Sequence, residues 1–145
     1  MYGLAAVLFY ACSPTQKTVE RQSPLMSQSE YESTPLDTIG TPILSFENPY
    51  HDFGDVEKGQ KRQHAFFFTN TGDADLIIEI ATACTCTKID WPRQVIRPGR
   101  RSSIPVIFDS TEKEGETLID VDVIANTEPI VTVAQFRANV ILADE

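Results

Sequence analysis

The chain has 145 residues, enough for one ordinary domain and an appendage. Twelve basic residues stand against twenty-one acidic ones, a net charge of −9, which repels phosphate backbones and argues against nucleic acid as a partner. Hydrophobic residues make up 41% of the chain and charged residues 23%, a globular rather than a disordered composition.

The first eleven residues, MYGLAAVLFYA, are uncharged and almost entirely apolar or small. They are too few to span a bilayer, which takes about 20 apolar residues. They resemble the apolar part of a secretory signal that ends at a small residue before Cys12. Leu8-Phe9-Tyr10-Ala11-Cys12 is similar to a relaxed lipobox, at which bacterial lipoproteins are cut and their cysteine is acylated. Residues 1–12 are therefore expected to be a lipoprotein signal, truncated-looking because it lacks a basic start, with Cys12 as the lipidated residue. This implies a membrane anchor and a place in the cell envelope.

Residues 13–42 form a different material. Twenty of these thirty residues are Ser, Thr, Pro, Gln or Glu, and no apolar period runs through them. Such a stretch buries too little apolar surface to offset its ordering entropy, so a flexible linker is expected.

From Ile43 to Leu142 short β-branched and aromatic runs alternate with Gly, Pro, Asn and Asp. Ile43–Phe46 opens the series. Phe66 and Phe68 share a face in HAFFFTN, and a turn follows at NTGD. Leu76, Ile78 and Ile80 alternate next, and Gln94–Arg97 forms a short run before Pro98-Gly99. Ile104, Val106 and Phe108 alternate, as do Ile119, Val121 and Val123 between Asp120 and Asp122. Ile130–Leu142 is the last run, with a phase slip expected near Gln135. About seven strands at this spacing predict an all-β fold, an antiparallel immunoglobulin-like β-sandwich over 43–142.

In order along the chain, Phe53-Gly54-Asp55-Val56, Phe66-x-Phe68-x-Asn70-x-Gly72, Leu76-x-Ile78, Cys84-Thr85-Cys86-Thr87, Ile96-x-Pro98-Gly99 and Ile104-x-Val106-x-Phe108-Asp109 form a set. This set resembles a bacterial domain-of-unknown-function family, similar to the abnormal-spindle/hydin class of immunoglobulin-like domains. The resemblance covers about residues 43–141. It implies a seven-stranded sandwich and an envelope or lipid-anchored setting, and it implies no activity. Thr85 departs from the glycine usual in that family's Cys-Gly-Cys-Thr motif.

Cys84 and Cys86 are the strongest chemical candidates. In a regular strand their Cα atoms would lie roughly 6.6 Å apart and their Cβ atoms nearly as far, against about 3.8 Å in a relaxed disulfide, so bonding requires a local turn. Three readings stay open: a local disulfide, two packed thiols, or a redox or metal role. For a metal, two thiolates suit Cu(I) or half a zinc site, whose remaining ligands would come from His51, His64 or a carboxylate. His64 also reads as an ordinary strand surface residue.

Arg93, Arg97, Arg100 and Arg101 cluster round the Pro98-Gly99 turn and make a candidate docking patch. The stretch from Asp109 through Glu112, Glu114 and Glu116 to Asp120 and Asp122 complements it. The same charges would also serve to guard exposed edges. Asp73 and Asp75 read as an acidic hairpin corner rather than a calcium site. No nucleophile–base unit, zinc-protease motif or phosphate loop is present, so no catalytic residue and no cofactor is expected. The expected function is a non-enzymatic binding or structural module with a protein partner in the envelope. The alternative is an envelope thiol-redox or Cu(I)-handling protein acting through Cys84 and Cys86.

Overall fold

The computed structural model describes residues 35–143. Cys12 and residues 13–34 of the expected linker lie outside them.

Eight strands build two four-stranded sheets. They are β1 (Leu44–Phe46), β2 (Tyr50–Glu57), β3 (Lys61–Asn70), β4 (Ile78–Thr82), β5 (Thr87–Ile89), β6 (Arg101–Asp109), β7 (Gly115–Ala125) and β8 (Val131–Ile141). One sheet runs β1-β3-β6-β5 and the other β2-β8-β7-β4. The fold is an all-β, immunoglobulin-like sandwich.

Period-two patterning decides which side chains face inward. Phe66, Phe68, Ile104, Val106 and Phe108 from one sheet are fully buried, as are Val121, Val123, Ala134, Phe136 and Ala138 from the other. Each buried phenylalanine or branched side chain contributes about 1.5–3 kcal/mol. Aromatic rings join the layers: Phe108 of β6 stacks with Phe53 of β2 at 6.3 Å and meets Phe136 of β8 edge-on at 5.4 Å. Within one sheet Phe46 on β1 meets Phe66 and Phe68 edge-on at 6.2 and 6.1 Å. Trp91, partly buried, packs against this core.

The strand pattern departs from expectation in five places, one being β5, a three-residue strand where no run is expected. Tyr50–Glu57 is a strand, paired in parallel with β8, but its register shifts between Asp52 and Asp55. Gly54 sits in that shift with φ +68, a left-handed conformation that side chains disfavour, and its amide donates to Asp52 Oδ1 at 2.8 Å. Gln94–Arg97 is no strand; only Ile96 bridges to Leu76. Ile80 is exposed, because a second shift between Ile78 and Ile80 turns Ala81 inward instead. β8, by contrast, shows no slip at Gln135. Its pairing with β7 is continuous, and the apparent slip arises because Val131 and Val133 face outward.

One buried polar residue fixes the loops at one end. Asn70 is fully buried and donates from Nδ2 to the carbonyls of Ala74 and Ile96, both at 2.8 Å. Its Oδ1 accepts from the amides of Ile43 and Gly72 at 3.3 and 3.1 Å. All its polar capacity is met, as burial demands.

Candidate functional site

The chain changes sheets between Phe46 and Tyr50, through Glu47-Asn48-Pro49. β1 pairs with β3 only over Phe68–Asn70, and a last bond runs from the Glu47 amide to the Phe67 carbonyl at 2.9 Å. Beyond it β3 continues for six residues with a partner on one side alone, β6. The amide of Thr71 reaches Ile43 and the carbonyl of Phe67 reaches Glu47, so odd-numbered residues turn their backbone groups toward the β1 side. Among the described residues, Gln63 and Ala65 therefore present amide and carbonyl groups to an edge that no strand occupies.

Glu47, Asn48, His64, Ala65 and Phe67 line a shallow concavity beside that edge. Arg101 engages two of these residues, Glu47 and Phe67. Its Nη2 donates to Glu47 Oε2 at 3.0 Å, and its guanidinium lies 3.9 Å above the half-exposed Phe67 ring. The hydrogen bond from Arg101 holds the Glu47 carboxyl below its usual range. His64, also lining it, stacks on His51 of β2, with ring centroids 3.7 Å apart and planes 10° from parallel. Burial, and then the nearby His51, depress the His64 pKa.

Cys84 and Cys86 occupy the crossover from β4 to β5, and a disulfide joins them with Cα atoms 5.2 Å apart. A tight turn brings them close, closed by the Thr87 amide donating to the Cys84 carbonyl at 3.0 Å. Thr85 enters it without a positive φ, which is why the β-branched residue is tolerated where the family pattern has glycine. Both cysteines are half-buried, and the Thr87 hydroxyl lies 3.4 Å from Cys84 Sγ and 3.6 Å from Cys86 Sγ. His64 is not brought to them, since β6 lies between β3 and β5. Among the described residues no group of three or more His, Cys, Asp or Glu side chains is arranged to hold a metal ion.

Three of the four arginines of the expected docking patch take separate partners. Arg97 Nη1 donates at 2.5 Å to Oδ2 of Asp75, whose side chain is wholly buried. Arg93 stacks over Trp91 at 3.5 Å and lies 3.7 Å from Asp90. Arg101 is engaged by Glu47, as above, and Arg100 forms no ion pair among the described residues. The acidic stretch is likewise shared out, with Lys61 on Asp109 and Lys58 on Glu114. Arg137 bridges Asp52 at 2.9 Å and Glu116 at 2.7 Å.

The far end of the expected linker is fastened to the sandwich. The Asp37 amide donates to Asp75 Oδ2 at 2.7 Å, and the Thr41 amide to Asp73 Oδ1 at 2.6 Å. Asp73 and Asp75 thus serve as anchors for 37–41. The β3 edge, the histidine stack and the Asp75–Arg97 pair escape sequence reasoning. Only Pro49, a strand breaker between two apolar runs, signals the change of sheet.

Comparison with known proteins agrees with this architecture. A protein of unknown function from Porphyromonas gingivalis W83 superposes with a TM-score of 0.59 at 19% identity, covering 75% of this chain and 50% of that one. The secreted serine protease VesC from Vibrio cholerae gives 0.57 at 19% identity over 70% of this chain and 24% of that one. The ASH/PapD-like domain 7 of human CEP192 gives 0.52 at 13% identity over 97% of this chain and all of that one. At these identities the likeness is one of fold. This chain spans half or less of the first two structures, and no curated protein matches it. Residues 44–140 match a family described as Protein of unknown function (DUF1573), and the chain belongs to that family.

Proposed function

We propose that this chain is a non-enzymatic lipoprotein of the cell envelope, held to the membrane through an acylated Cys12. Its sandwich binds an extended segment of an envelope protein by strand addition at the free edge of β3. The observation that carries the reading is the row of unpartnered backbone groups at Gln63 and Ala65, beside the concavity of Glu47, Asn48, His64, Ala65 and Phe67. An unpaired strand edge is a template for an incoming chain, with main-chain bonds supplying affinity and neighbouring pockets supplying selectivity. The edge is short and carries Lys61 and Arg62 at its far end, which limits indiscriminate pairing.

Ala65→Pro tests this directly. It removes only an amide directed to the free side, so the β3–β6 ladder keeps its bonds. A photo-crosslinker at Gln63, in intact cells, is expected to give one discrete adduct that Ala65→Pro abolishes while the thermal midpoint stays within a few degrees. An adduct insensitive to Ala65→Pro would reject strand addition. Membrane fractionation of Cys12→Ala checks the anchor, which predicts release into the soluble fraction.

A further inference from the structure

The geometry points to Cys84–Cys86 as a thiol–disulfide exchange site whose substrate is a protein or peptide dithiol, an activity separate from binding at the β3 edge. The bond has little structural work to do. It joins residues two apart within a turn that the Thr87 amide and Cys84 carbonyl already close at 3.0 Å, and it links neither sheet to the other. A cross-link over so short a loop removes little entropy from the unfolded chain.

The surroundings suit approach by another protein. The turn connects β4, an edge strand of one sheet, to β5, an edge strand of the other. Thr82, Thr85 and Lys88 are exposed, and both cysteines are half-buried. In a chain of net charge −9, the run from Ala81 to Thr87 carries no charged side chain, so an incoming thiolate meets no carboxylate within it. The Thr87 hydroxyl is near enough to both sulfurs to donate to whichever leaves, and it is nearer to Cys84 Sγ, at 3.4 Å.

In the exchange, a substrate thiolate attacks Cys86 Sγ. The bond to Cys84 breaks, its electron pair leaves on Cys84 Sγ, and a mixed disulfide forms between substrate and Cys86. Thr87 donates a hydrogen bond to the departing thiolate, which then takes a proton from water. The substrate's second thiolate attacks its own sulfur in the mixed disulfide and releases Cys86, which is protonated in turn. The substrate dithiol is oxidised to a disulfide, losing two electrons and two protons, and the Cys84–Cys86 pair gains them as two thiols. Thr87 is a positioning residue that steadies the leaving sulfur.

The test uses the full chain with Cys12→Ala, so that only these two thiols report. Reduction by glutathione is followed by mass spectrometry, beside the global unfolding rate measured by hydrogen exchange. Exchange is expected to run far faster than unfolding. Cys84→Ser, mixed instead with oxidised glutathione, should take up one glutathione on Cys86 and release the other as its thiolate. Thr87→Val should slow reduction about tenfold, the order expected for a hydrogen bond to a charged group, and Thr87→Ser should restore it. Reduction no faster than unfolding, or a Thr87→Val rate equal to that of the parent, would overturn the assignment.

Discussion

Arg97 Nη1 lies 2.5 Å from Oδ2 of Asp75, a carboxylate with no exposed surface, and the same oxygen accepts the Asp37 amide at 2.7 Å. One carboxylate therefore ties the Pro98–Gly99 turn, the loop after β3 and the segment before β1 together. Arg97→Ala leaves that carboxylate buried without its cation, and breaking a buried pair on one side costs about 3–5 kcal/mol. Chemical denaturation should show a loss of this size. Loss below about 1 kcal/mol would mean that Asp75 is already solvated. Arg100→Ala, in the same turn, is expected to change stability by no more than about 0.5 kcal/mol.

Gly72 is required for a different reason, close approach. A Cβ there would overlap the carbonyl of Thr41 and crowd the amide of Ile43 and Cα of Pro42, all main-chain-bound atoms that cannot swing aside. Gly72→Ala should detach residues 37–43 from the loop after β3. Amide exchange at Thr71 and Asp73, which donate to Ile43 and Thr41, should then accelerate while that of β7 and β8 is unchanged. Unaltered exchange at those two amides would contradict the packing described.

Removing the disulfide should be mild. With three residues in the closed loop, the chain-entropy expression gives about 1.6 kcal/mol. The Cys84→Ser, Cys86→Ser double variant is expected to stay folded and lose no more than that in urea titration. A loss above about 3 kcal/mol would show that the bond organises more than its own turn.

The histidine stack makes stability depend on pH. Burial first, and the neighbouring His51 second, lower the His64 pKa from its ordinary 6.5, so the unfolded chain binds that proton more readily. His64 faces His51 from β2 and Glu47 from the strand crossing, and Asp52 adjoins His51. Stability should be full above about pH 6.5 and fall as the pH drops through and below that value. A second decline follows in the carboxylate range. There Glu47, Asp52, Asp109, Glu114 and Glu116 lose hydrogen bonds from Arg101, Gly54, Thr111, Lys58 and Arg137 in turn. Thermal midpoints of His64→Gln between pH 7 and 5 should be flatter than those of the parent; parallel curves would remove His64 from this account.

These relationships also mark where the sequence is legible. β3, β6 and β7 announce themselves because each carries three or more inward residues in unbroken alternation, Ile119, Val121 and Val123 among them. β2 hides because the shift at Gly54 breaks its period and only Val56 is fully buried. β5 hides because three residues hold no period at all. Ile80 reads as core because a bulge leaves no mark in a run of isoleucines. The cysteine pair is visible as a spacing, since its two partners are neighbours. Asp75 with Arg97, or His51 with His64, is invisible, because each pair forms through a fold that local patterns do not encode.

The parallel pairing of β2 with β8 also fixes how the domain answers a pull. Tension applied through the chain before β1 and beyond Ile141 would first part Asp37 and Thr41 from Asp75 and Asp73, then peel the three-residue β1 from β3. It would then draw β2 and β8 past each other along their length, so that the contacts from Tyr50–Gln135 to Glu57–Ile141 bear the load in shear together. The sandwich is thus built with a yielding outer catch and a stiff inner clamp.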